Sequence, residues 1–449
     1  MTKANLGKQK ISQSMIYLMN KILSTRSKNF DSQLSYYLDL RKKNSNSKAS
    51  TVRKILGDIK KSKDTSLIRY EKKFSGIKKL NKKNLSFSKS EIKKSLKLLN
   101  RNTKRDIDLA YNRILSFHKN QKIKTFSVTD KLKNRFTYRT KAIEKIGVYV
   151  PGGKASYPSS VLMNCIPAIV AGVPKIFMTV PSLNKKINPG ILYAATKCKV
   201  KKIYKLGGVQ AIGAFAYGTG AVEKVDKIVG PGNEFVSLAK KEVFGEVGID
   251  MFAGPSEVTV IADKYSNPRW IAADLIAQAE HDELSQSILV TDSKELIYKV
   301  KKFINLQVKF LPKKRIISSS LKNFGLAILA RNMREIASVV NKVSPEHLEI
   351  CTKKPESYLK LINNAGSIFL GSFSPEAMGD YLAGPNHVLP TSGTARFSSG
   401  LSVLDFLKRQ SVIKISKSGI ERLGPSVINL ANYENLHGHA NSVKMRIKR

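Results

Sequence analysis

The fold is decided by residues 146–233, which begin with IGVYVPGG (146–153) and end with VDKIVGPGN (225–233). Within this stretch, short runs rich in β-branched and aromatic residues alternate with longer segments that have helical spacing. Four strands are predicted, at Ile146–Val150, Lys175–Val180, Lys202–Lys205 and Val225–Val229. Strands that alternate with helices in this way form a parallel sheet covered by helices. The stretch therefore predicts a parallel α/β domain.

The same alternation continues beyond Gly254-Pro255-Ser256 and predicts a second domain of similar design. Five further strands are predicted there, at Val258–Ala262, Ser287–Thr291, Leu326–Leu329, Leu348–Cys351 and Ser367–Leu370. Before about residue 145, apolar residues lie three and four apart among lysines, which predicts charged helices. From about Ser398 the pattern weakens into a tail with one short strand, Val412–Ile415. The predicted fold class is α/β, with two Rossmann-like parallel-sheet domains, a helical N-terminal segment and a small C-terminal tail domain.

The predicted domain boundaries follow these changes of pattern. Residues 1–45 are an N-terminal extension and lead-in helix, and 46–148 together with 256–400 form a discontinuous first α/β domain. Residues 149–255 form the second α/β domain, and 401–449 form the tail. The start of the chain is basic and lacks the apolar segment and cleavage site of a secretory signal. We expect an ordinary basic extension there, or a true start at Met19.

The net charge is the most unusual feature of the composition, because 79 basic residues against 33 acidic ones give +46. One interpretation is a protein that binds nucleic acid or a membrane surface. The other is a lysine-rich codon bias. It is favoured because lysine is scattered, is accompanied by abundant Asn and Ile, and is not joined by a helix-turn-helix, zinc-finger or RNP pattern. No apolar run approaches the ~18–20 residues of a membrane span. We expect neither a nucleic-acid partner nor a membrane.

The three cysteines, Cys165, Cys198 and Cys351, lie far apart and form no CxxC spacing. This usage suits a reducing compartment and argues against both a disulfide framework and a thiolate metal site. The expected location is the cytoplasm.

A dinucleotide site is normally marked by Gly-x-Gly-x-x-Gly between a strand and a helix, and this fingerprint is missing from the sequence. Glycine turns instead follow three predicted strands, at Gly152-Gly153, Gly207-Gly208 and Gly230-Pro231-Gly232, the last followed by Asn233. Such turns bring a ligand close to a helix N-terminus, where N–H groups favour phosphate. Each turn alone is usually only a connection between strand and helix. Three in one domain, the last closed by Asn233, strengthen the case for a ligand site without deciding it.

The six histidines are informative because they are scarce. Gln278 and His281 lie three apart on a predicted helix, Ala272–His281, and so project from one face. The same spacing also suits a polar helix end. Asp380 and His387 lie in a predicted loop after the last strand of the second domain.

An acid and a base stand side by side at Glu346-His347, where a turn enters a predicted strand. Neighbouring residues of an extended chain point to opposite sides, so the two are suited to two different proton transfers around one substrate. Imidazole and carboxylate groups are also good zinc ligands, and three protein ligands with an open position make a reactive site. From these residues alone, a zinc site and a set of unrelated surface histidines are equally good interpretations.

Five sequence blocks resemble the signature blocks of histidinol dehydrogenases. They are GPSE (254–257), AQAEHD (277–282), PEHLE (345–349), the segment from Gly371 to Arg396, and ENLHGH (434–439). The resemblance runs in order from about Asp31 to the C-terminus. The last block matches a family motif of Glu, four residues and His, which selects His439 and leaves His437 outside the motif. Two departures, Ser344 where Ala is common and Gly438 before the tail histidine, remove no functional group.

The resemblance implies a role for each matched residue. Zinc would be bound by Gln278, His281, Asp380 and His439. The catalytic pair would be Glu346 and His347. The substrate would contact Ser256, Gln278, His281, Glu346, His347, Asp380, His387, Glu434 and His439. NAD would contact Tyr149, Gln210 and Asn233.

The resemblance also implies the reaction, which is oxidation of L-histidinol to L-histidine through L-histidinaldehyde, with two NAD⁺ and one zinc per subunit. His347 is the expected base for the alcohol proton, and Glu346 the expected base for the water that hydrates the aldehyde. The family forms a homodimer with an exchanged C-terminal tail, so Glu434 and His439 would complete the partner's site. The alternative is a relative of the same fold that oxidises a different amino alcohol or a sulfonate, which the retained His387, Glu434 and His439 disfavour.

Overall fold

The structure is a computed structural model that describes residues 18–42, 46–77, 79–152, 157–182, 187–252 and 254–447. These residues group into two compact units. The first contains the described residues up to Asp58, together with Pro231–Glu242 and the described part of Met251–Gly400. The second contains the described residues of Ile59–Gly230, Val243–Asp250 and Leu401–Arg449. The domain boundaries drawn from the sequence stay a prediction.

The strands of the described residues are, in chain order, β1 (Lys21–Ser24), β2 (Phe126–Thr129), β3 (Arg135–Ala142), β4 (Lys145–Tyr149), β5 (Lys175–Thr179), β6 (Lys202–Tyr204), β7 (Lys227–Val229), β8 (Gly248–Ile249), β9 (Glu257–Ala262), β10 (Gln286–Thr291), β11 (Gly325–Leu329), β12 (His347–Cys351), β13 (Ser367–Leu370) and β14 (Leu407–Lys414). Those from β4 to β7 and from β9 to β13 coincide, within two residues at each end, with the nine strands predicted for the two α/β domains.

The helices of the same residues are α1 (Phe30–Asp39), α2 (Asn46–Ser75), α3 (Lys89–Leu96), α4 (Arg101–Lys119), α5 (Pro158–Ala171), α6 (Pro189–Lys197), α7 (Gly208–Tyr217), α8 (Glu234–Val243), α9 (Pro268–Ala279), α10 (Lys294–Gln307), α11 (Lys314–Phe324), α12 (Met333–Val343), α13 (Glu376–Tyr381), α14 (Lys417–Tyr433) and α15 (His437–Ile447). Several begin at Asn or Ser caps. The side-chain oxygens of Asn267, Ser293 and Asn332 accept hydrogen bonds from N–H groups in the first turns of α9, α10 and α12. No described helix is long and apolar enough to cross a membrane.

The first unit is built on a six-stranded sheet in the order β1-β11-β10-β9-β12-β13, and every pairing in it is parallel. The central strands β9 (EVTVIA) and β10 (QSILVT) are buried along their whole length. Continuous burial is typical of parallel strands that are covered on both faces. This sheet therefore needs a helical layer on each side.

Alternation along the strands divides the core of this unit into two apolar clusters. On one face, Val258 and Val260 of β9 pack with residues of α9, α10 and α11. On the other face, Ile261 of β9 and Leu348 and Ile350 of β12 pack with α1 and α12. The α9 side of the sheet is the side on which the polar residues discussed below are found.

The second unit has a five-stranded parallel sheet in the order β6-β5-β4-β7-β8 and a separate antiparallel sheet in the order β14-β3-β2. The turn after β7 requires glycine, because Gly230 has a φ of +110° and a Cβ there would lie 2.1 Å from the Tyr149 carbonyl oxygen. Two Rossmann-like parallel sheets are thus present, and the predicted fold class is confirmed.

The structure corrects the sequence-based expectations at three places. The segment before residue 145 is not wholly helical, since β1 pairs with β11 and β2 pairs with β3. Residues 376–381 form the helix α13 where a loop was expected, so Asp380 lies on a helix. The helix carrying Gln278 ends at Ala279, so His281 lies just beyond it.

Candidate active site

The candidate active site is centred on β12, on the face of the sheet that α9 covers. Side chains alternate along a strand, so His347, Glu349 and Cys351 share this face. The helix α13 is anchored beside them, because the backbone N–H of Glu376 donates a hydrogen bond of 2.6 Å to Glu349 Oε1. This face of β12 therefore presents polar side chains to α13.

His347 is held as a neutral imidazole with one free nitrogen. Its Nδ1 lies 3.0 Å from the Glu257 carbonyl oxygen, which only accepts hydrogen bonds, so Nδ1 carries the proton. Nε2 is buried and has no hydrogen-bond partner among the described residues. Burial lowers the pKa of His347 to about 4. The ring therefore presents an unprotonated Nε2 at neutral pH, as a general base requires.

Glu346 precedes β12 and is buried beside His347. Its Oε2 accepts a hydrogen bond of 2.9 Å from the backbone N–H of Glu257 and lies 3.8 Å from His347 Nδ1. The expectation that the two side chains point to opposite sides was wrong, because Glu346 lies outside the regular strand. Burial, and then the negative charge of Glu257, raise the pKa of Glu346 well above its usual value.

Three side chains form a cluster suited to a metal ion. Ligand atoms of His281, Glu376 and Asp380 all lie within 4.8 Å of one another. Glu376 and Asp380 are four apart on α13 and so project from the same face of that helix. Both polar atoms of the buried Gln278 amide, on the last turn of α9, have no hydrogen-bond partner in the described part of the chain. Buried polar atoms are almost always paired, so this amide indicates a missing partner.

The charges in this cluster are unbalanced. Burial, and then the carboxylates of Asp380, Glu349 and Glu346, raise the pKa of Glu376 well above its usual value. Burial also opposes ionisation of Asp380. The nearby imidazoles outweigh it and lower the Asp380 pKa, with His387 Nδ1 only 3.6 Å from Asp380 Oδ1. Several buried carboxyls with so few cations favour the binding of a positive ion.

In the second unit, Tyr149 is the last residue of β4 and Gln210 lies in the first turn of α7, and the two are joined through the Gly207-Gly208 turn. The Gly208 N–H donates to the Tyr149 hydroxyl oxygen at 3.1 Å, and burial raises the pKa of Tyr149 to about 12. Glu71 accepts hydrogen bonds from the Gly207 N–H at 3.2 Å and from Gln210 Nε2 at 2.8 Å. The Oε1 atom of Gln210 is buried and has no partner among the described residues.

Three further expected residues lie at loops or helix ends. Asn233 precedes α8, and its Oδ1 accepts a hydrogen bond of 3.2 Å from the Val236 N–H. Glu434, at the end of α14, and His439, on α15, are both exposed in the second unit. The metal cluster itself contains only residues of the first unit.

Known proteins resemble the chain over almost its whole length. A family model described as "Histidinol dehydrogenase" matches residues 39–447. The histidinol dehydrogenase of Pelagibacter ubique (strain HTCC1062) is 52% identical over 434 residues, which cover 96% of this chain and 100% of that protein. A crystal structure of histidinol dehydrogenase from Elizabethkingia anophelis matches with a TM-score of 0.90 and 37% identity, covering 96% of this chain and 98% of that one.

This chain belongs to the histidinol dehydrogenase family. The relative from Clostridium acetobutylicum is 50% identical over 399 residues, which cover 89% of this chain and 92% of that protein. The resemblance drawn from the sequence blocks is thereby confirmed, and the chain is an oxidoreductase of histidine biosynthesis.

For a histidinol dehydrogenase, the structure brings part of the expected site together. Glu346 and His347 are adjacent and buried, while His281, Asp380 and His387 form a neighbouring group. Ser256 is partly buried and directly precedes Glu257, whose backbone contacts both Glu346 and His347, the expected catalytic pair. The metal, substrate and NAD roles of these residues stay predictions.

Two residues near these sites were missed from the sequence. Glu376 lies inside the block from Gly371 to Arg396, and its spacing of four from Asp380 would have indicated a shared helix face had a helix been predicted there. Glu71 lies in a charged helical segment, and nothing in the sequence distinguishes it from the other charged residues of α2.

Proposed function

We propose that the chain oxidises L-histidinol to L-histidine through L-histidinaldehyde, with zinc and two molecules of NAD⁺. The observation that carries this proposal is the buried imidazole of His347, whose Nε2 has no partner among the described residues. Its Nδ1 lies 3.8 Å from Glu346 Oε2 and 3.5 Å from Glu376 Oε1, a member of the His281–Glu376–Asp380 cluster. An alcohol oxidation needs a base for the hydroxyl proton, and the later oxidation of the aldehyde needs a second base for water. The site offers both in one buried place.

Zinc fits the donors that the first unit presents. Gln278, His281 and Asp380 offer amide oxygen, imidazole nitrogen and carboxylate oxygen, which are all suitable ligand atoms for zinc. The unpartnered amide of Gln278 supports this assignment. When bound, the ion would hold the substrate's nitrogen atoms and fix its orientation. His439 is proposed as the fourth ligand.

NAD fits the second unit less completely. The unpartnered Oε1 of Gln210 is an acceptor for a hydroxyl or amide group of the dinucleotide, and Tyr149 lies beside the same turn. The Gly207 N–H, at the start of α7, already donates a hydrogen bond to Glu71. We therefore propose an NAD contact at Gln210 and Tyr149, and no phosphate on this helix N-terminus. Asn233 belongs to the first unit and stays a predicted NAD residue.

The protein groups divide the chemistry between them. His347 Nε2 takes the hydroxyl proton as the first hydride leaves the substrate carbon. Glu346 takes a proton from the water that adds to the aldehyde, and its raised pKa makes its carboxylate a stronger base. His347 takes the hydroxyl proton of the resulting hydrate as the second hydride leaves. One imidazole thus serves both oxidations.

We also propose that two copies of the chain exchange their C-terminal tails. Glu434 and His439 are exposed in the second unit, which supports a role in binding outside their own fold. In this arrangement Glu434 offsets the positive charge of the substrate, and His439 of the partner subunit completes the zinc site. A cytoplasmic location is part of the same proposal.

The test is the stoichiometry of NADH produced from a limiting amount of L-histidinol. Protein reconstituted with zinc is expected to give two NADH per L-histidinol and to lose this activity when a chelator removes the metal. One NADH per substrate would refute the second oxidation. Full activity of a chelated sample, shown by metal analysis to be free of zinc, would refute the metal requirement.

A further inference from the structure

One backbone unit, that of Glu257, holds both members of the catalytic pair. Its N–H donates to Glu346 Oε2 at 2.9 Å, and its carbonyl oxygen accepts the hydrogen bond of His347 Nδ1 at 3.0 Å. The first bond fixes which carboxylate oxygen of Glu346 is engaged. The second fixes the tautomer of His347 and so leaves Nε2 unprotonated. The position of Glu257 therefore sets the geometry of two side chains at once.

The side chain of Glu257 is in turn locked by Arg41. Arg41 Nη1 lies 2.7 Å from Glu257 Oε1, and the side chains are only 5% and 6% exposed. The same carboxylate oxygen accepts a 2.9 Å hydrogen bond from the backbone N–H of Ser392. An ion pair buried to this degree is little screened by solvent. It resists displacement more than a surface pair would.

Arg41 is fixed by further contacts of its own. Its Nη2 donates to the Pro255 carbonyl oxygen, and its Nη1 also lies 3.3 Å from Gln286 Oε1. Pro255 and Gln286 flank the starts of β9 and β10. The guanidinium therefore ties the entry of β9 to its neighbour through a planar fork of donors that lysine cannot reproduce.

We propose that Arg41 and Glu257 are positioning residues, which hold Glu346 and His347 in the geometry needed for proton transfer. This inference rests on the proposed function, because it assumes that Glu346 and His347 act on the substrate. Arg41 lies far from both in sequence, within the short 3₁₀ segment Leu40–Lys42. Its effect on the reaction passes through the residues that it holds, chiefly Glu257 and the backbone of Pro255.

Arg41→Met is the main variant. Burial raises the pKa of Glu257 and the guanidinium is the largest opposing cause, so Glu257 in this variant takes up a proton and the protein avoids an unpaired buried charge. Small misplacement of reacting groups is costly, so we expect kcat to fall about 10–100-fold. The KM for L-histidinol and the zinc content should stay within about twofold of wild type.

The deciding readout is the deuterium isotope effect on kcat, measured with L-histidinol deuterated at the reacting carbon. A misplaced base slows the chemical step, so the isotope effect should be larger for Arg41→Met than for wild type. A sample that merely contains fewer folded molecules would keep the wild-type isotope effect. Arg41→Lys keeps the positive charge but lacks the planar fork of donors, so its isotope effect should lie between those of wild type and Arg41→Met. Arg331→Met is the matched control, because it removes a guanidinium from an ion pair with Glu335 in the same unit.

A kcat of Arg41→Met within twofold of the control would overturn the inference, as would a reduced kcat with an unchanged isotope effect. If Arg41→Met does not fold, Arg41→Lys decides by the same two measurements. His347→Asn is assayed in parallel. An active His347→Asn variant would overturn the proposed function and this inference together. An inactive His347→Asn variant, with Arg41 variants whose kcat and isotope effect match wild type, would overturn this inference alone.

Discussion

The two candidate sites differ in how many of their buried polar atoms have a hydrogen-bond partner. At β12 in the first unit, His347 Nε2, Glu376 Oε2 and both amide atoms of Gln278 have no partner among the described residues. At the Gly207-Gly208 turn in the second unit, Glu71 and Tyr149 already accept the backbone hydrogen bonds. The buried atoms there without a partner among the described residues are Gln210 Oε1 and, at the end of β5 and just after it, the hydroxyl oxygens of Thr179 and Ser182.

This difference indicates what each site needs. Buried polar atoms without partners carry a cost in free energy that a ligand can remove. The first site is therefore built for ligands that supply several bonds, which suits a metal ion and a polar substrate. At the second, the N–H groups of the turn are already paired within the protein, so we expect a dinucleotide to contact side-chain atoms there.

The largest expected effect is that of His347→Asn. The amide cannot act as a base at neutral pH, and general-base catalysis typically contributes 10²–10⁴-fold. We expect kcat to fall by about 10³-fold for L-histidinol and for L-histidinaldehyde alike. His437→Asn, an exposed histidine outside the motif, is the control and should be close to wild type. Activity of His347→Asn within tenfold of wild type would contradict the assignment.

The next effect separates the two oxidations. Glu346→Gln keeps a hydrogen-bond acceptor for the Glu257 N–H but cannot take a proton from water. We expect the rate of L-histidinaldehyde oxidation to fall by about 10²-fold and that of alcohol oxidation by much less. Single-turnover measurements with each substrate check this. Equal losses in both steps would remove Glu346 from the role of water base.

The metal cluster predicts a graded loss of zinc affinity. Asp380→Asn removes a proposed ligand, whereas Glu376→Gln removes only a charge beside the ion. We expect Asp380→Asn to weaken zinc binding more, with Glu376→Gln costing about 10-fold, as neighbours of metal ligands commonly do. Titration with a competing chelator measures both. A larger loss for Glu376→Gln would make Glu376 a ligand and the Asp380 assignment wrong.

In the second unit, Glu71→Leu should remove the hydrogen bonds that Glu71 accepts at the Gly207-Gly208 turn. The Gly207 N–H and Gln210 Nε2 would lose their acceptor, which costs about 1–3 kcal/mol of unfolding free energy. We expect the KM for NAD⁺ to rise several-fold while zinc affinity stays unchanged. Glu71→Gln retains an acceptor and is the matched control. Unchanged NAD⁺ kinetics in Glu71→Leu would separate Gln210 from cofactor binding.

The smallest effect is a pH dependence of stability in metal-free protein. His347 has a pKa of about 4 in the folded chain and an ordinary value near 6.5 when unfolded. Between these values the unfolded chain binds more protons, so stability is lost as pH falls from about 6.5 towards 4. Between pH 7 and pH 5, the free energy of unfolding, measured with denaturant, should fall by about 1–2 kcal/mol more for wild type than for His347→Asn. Equal losses would show that His347 is not held neutral by the fold.

The sequence predicts well those elements whose pattern is local. β9 and β10 are short runs rich in β-branched and apolar residues between turns, and so their burial and parallel pairing could be foreseen. By contrast β2 (FSVT) is exposed along its length and β3 carries three basic residues, so neither shows the apolar pattern of a buried strand. The pairing of β3 with β14 also joins segments that lie far apart in sequence. The helix α13 was missed because it is only six residues long and contains Gly379.

The same limit applies to the candidate site. Glu346, His347 and Asp380 were found because they lie in compositionally unusual blocks. Arg41 and Glu71 act through partners more than a hundred residues away, and no spacing rule connects them to those partners. Single-sequence reasoning therefore identifies the reactive groups more readily than the residues that hold them.

Anomalous diffraction at the zinc absorption edge, on crystals of the zinc-loaded protein, tests the account most directly. We expect one zinc ion per subunit, bonded to His281 and Asp380 at about 2.0–2.2 Å and to the Gln278 amide oxygen. Zinc bound only elsewhere, in protein that still produces NADH from L-histidinol, would contradict the account.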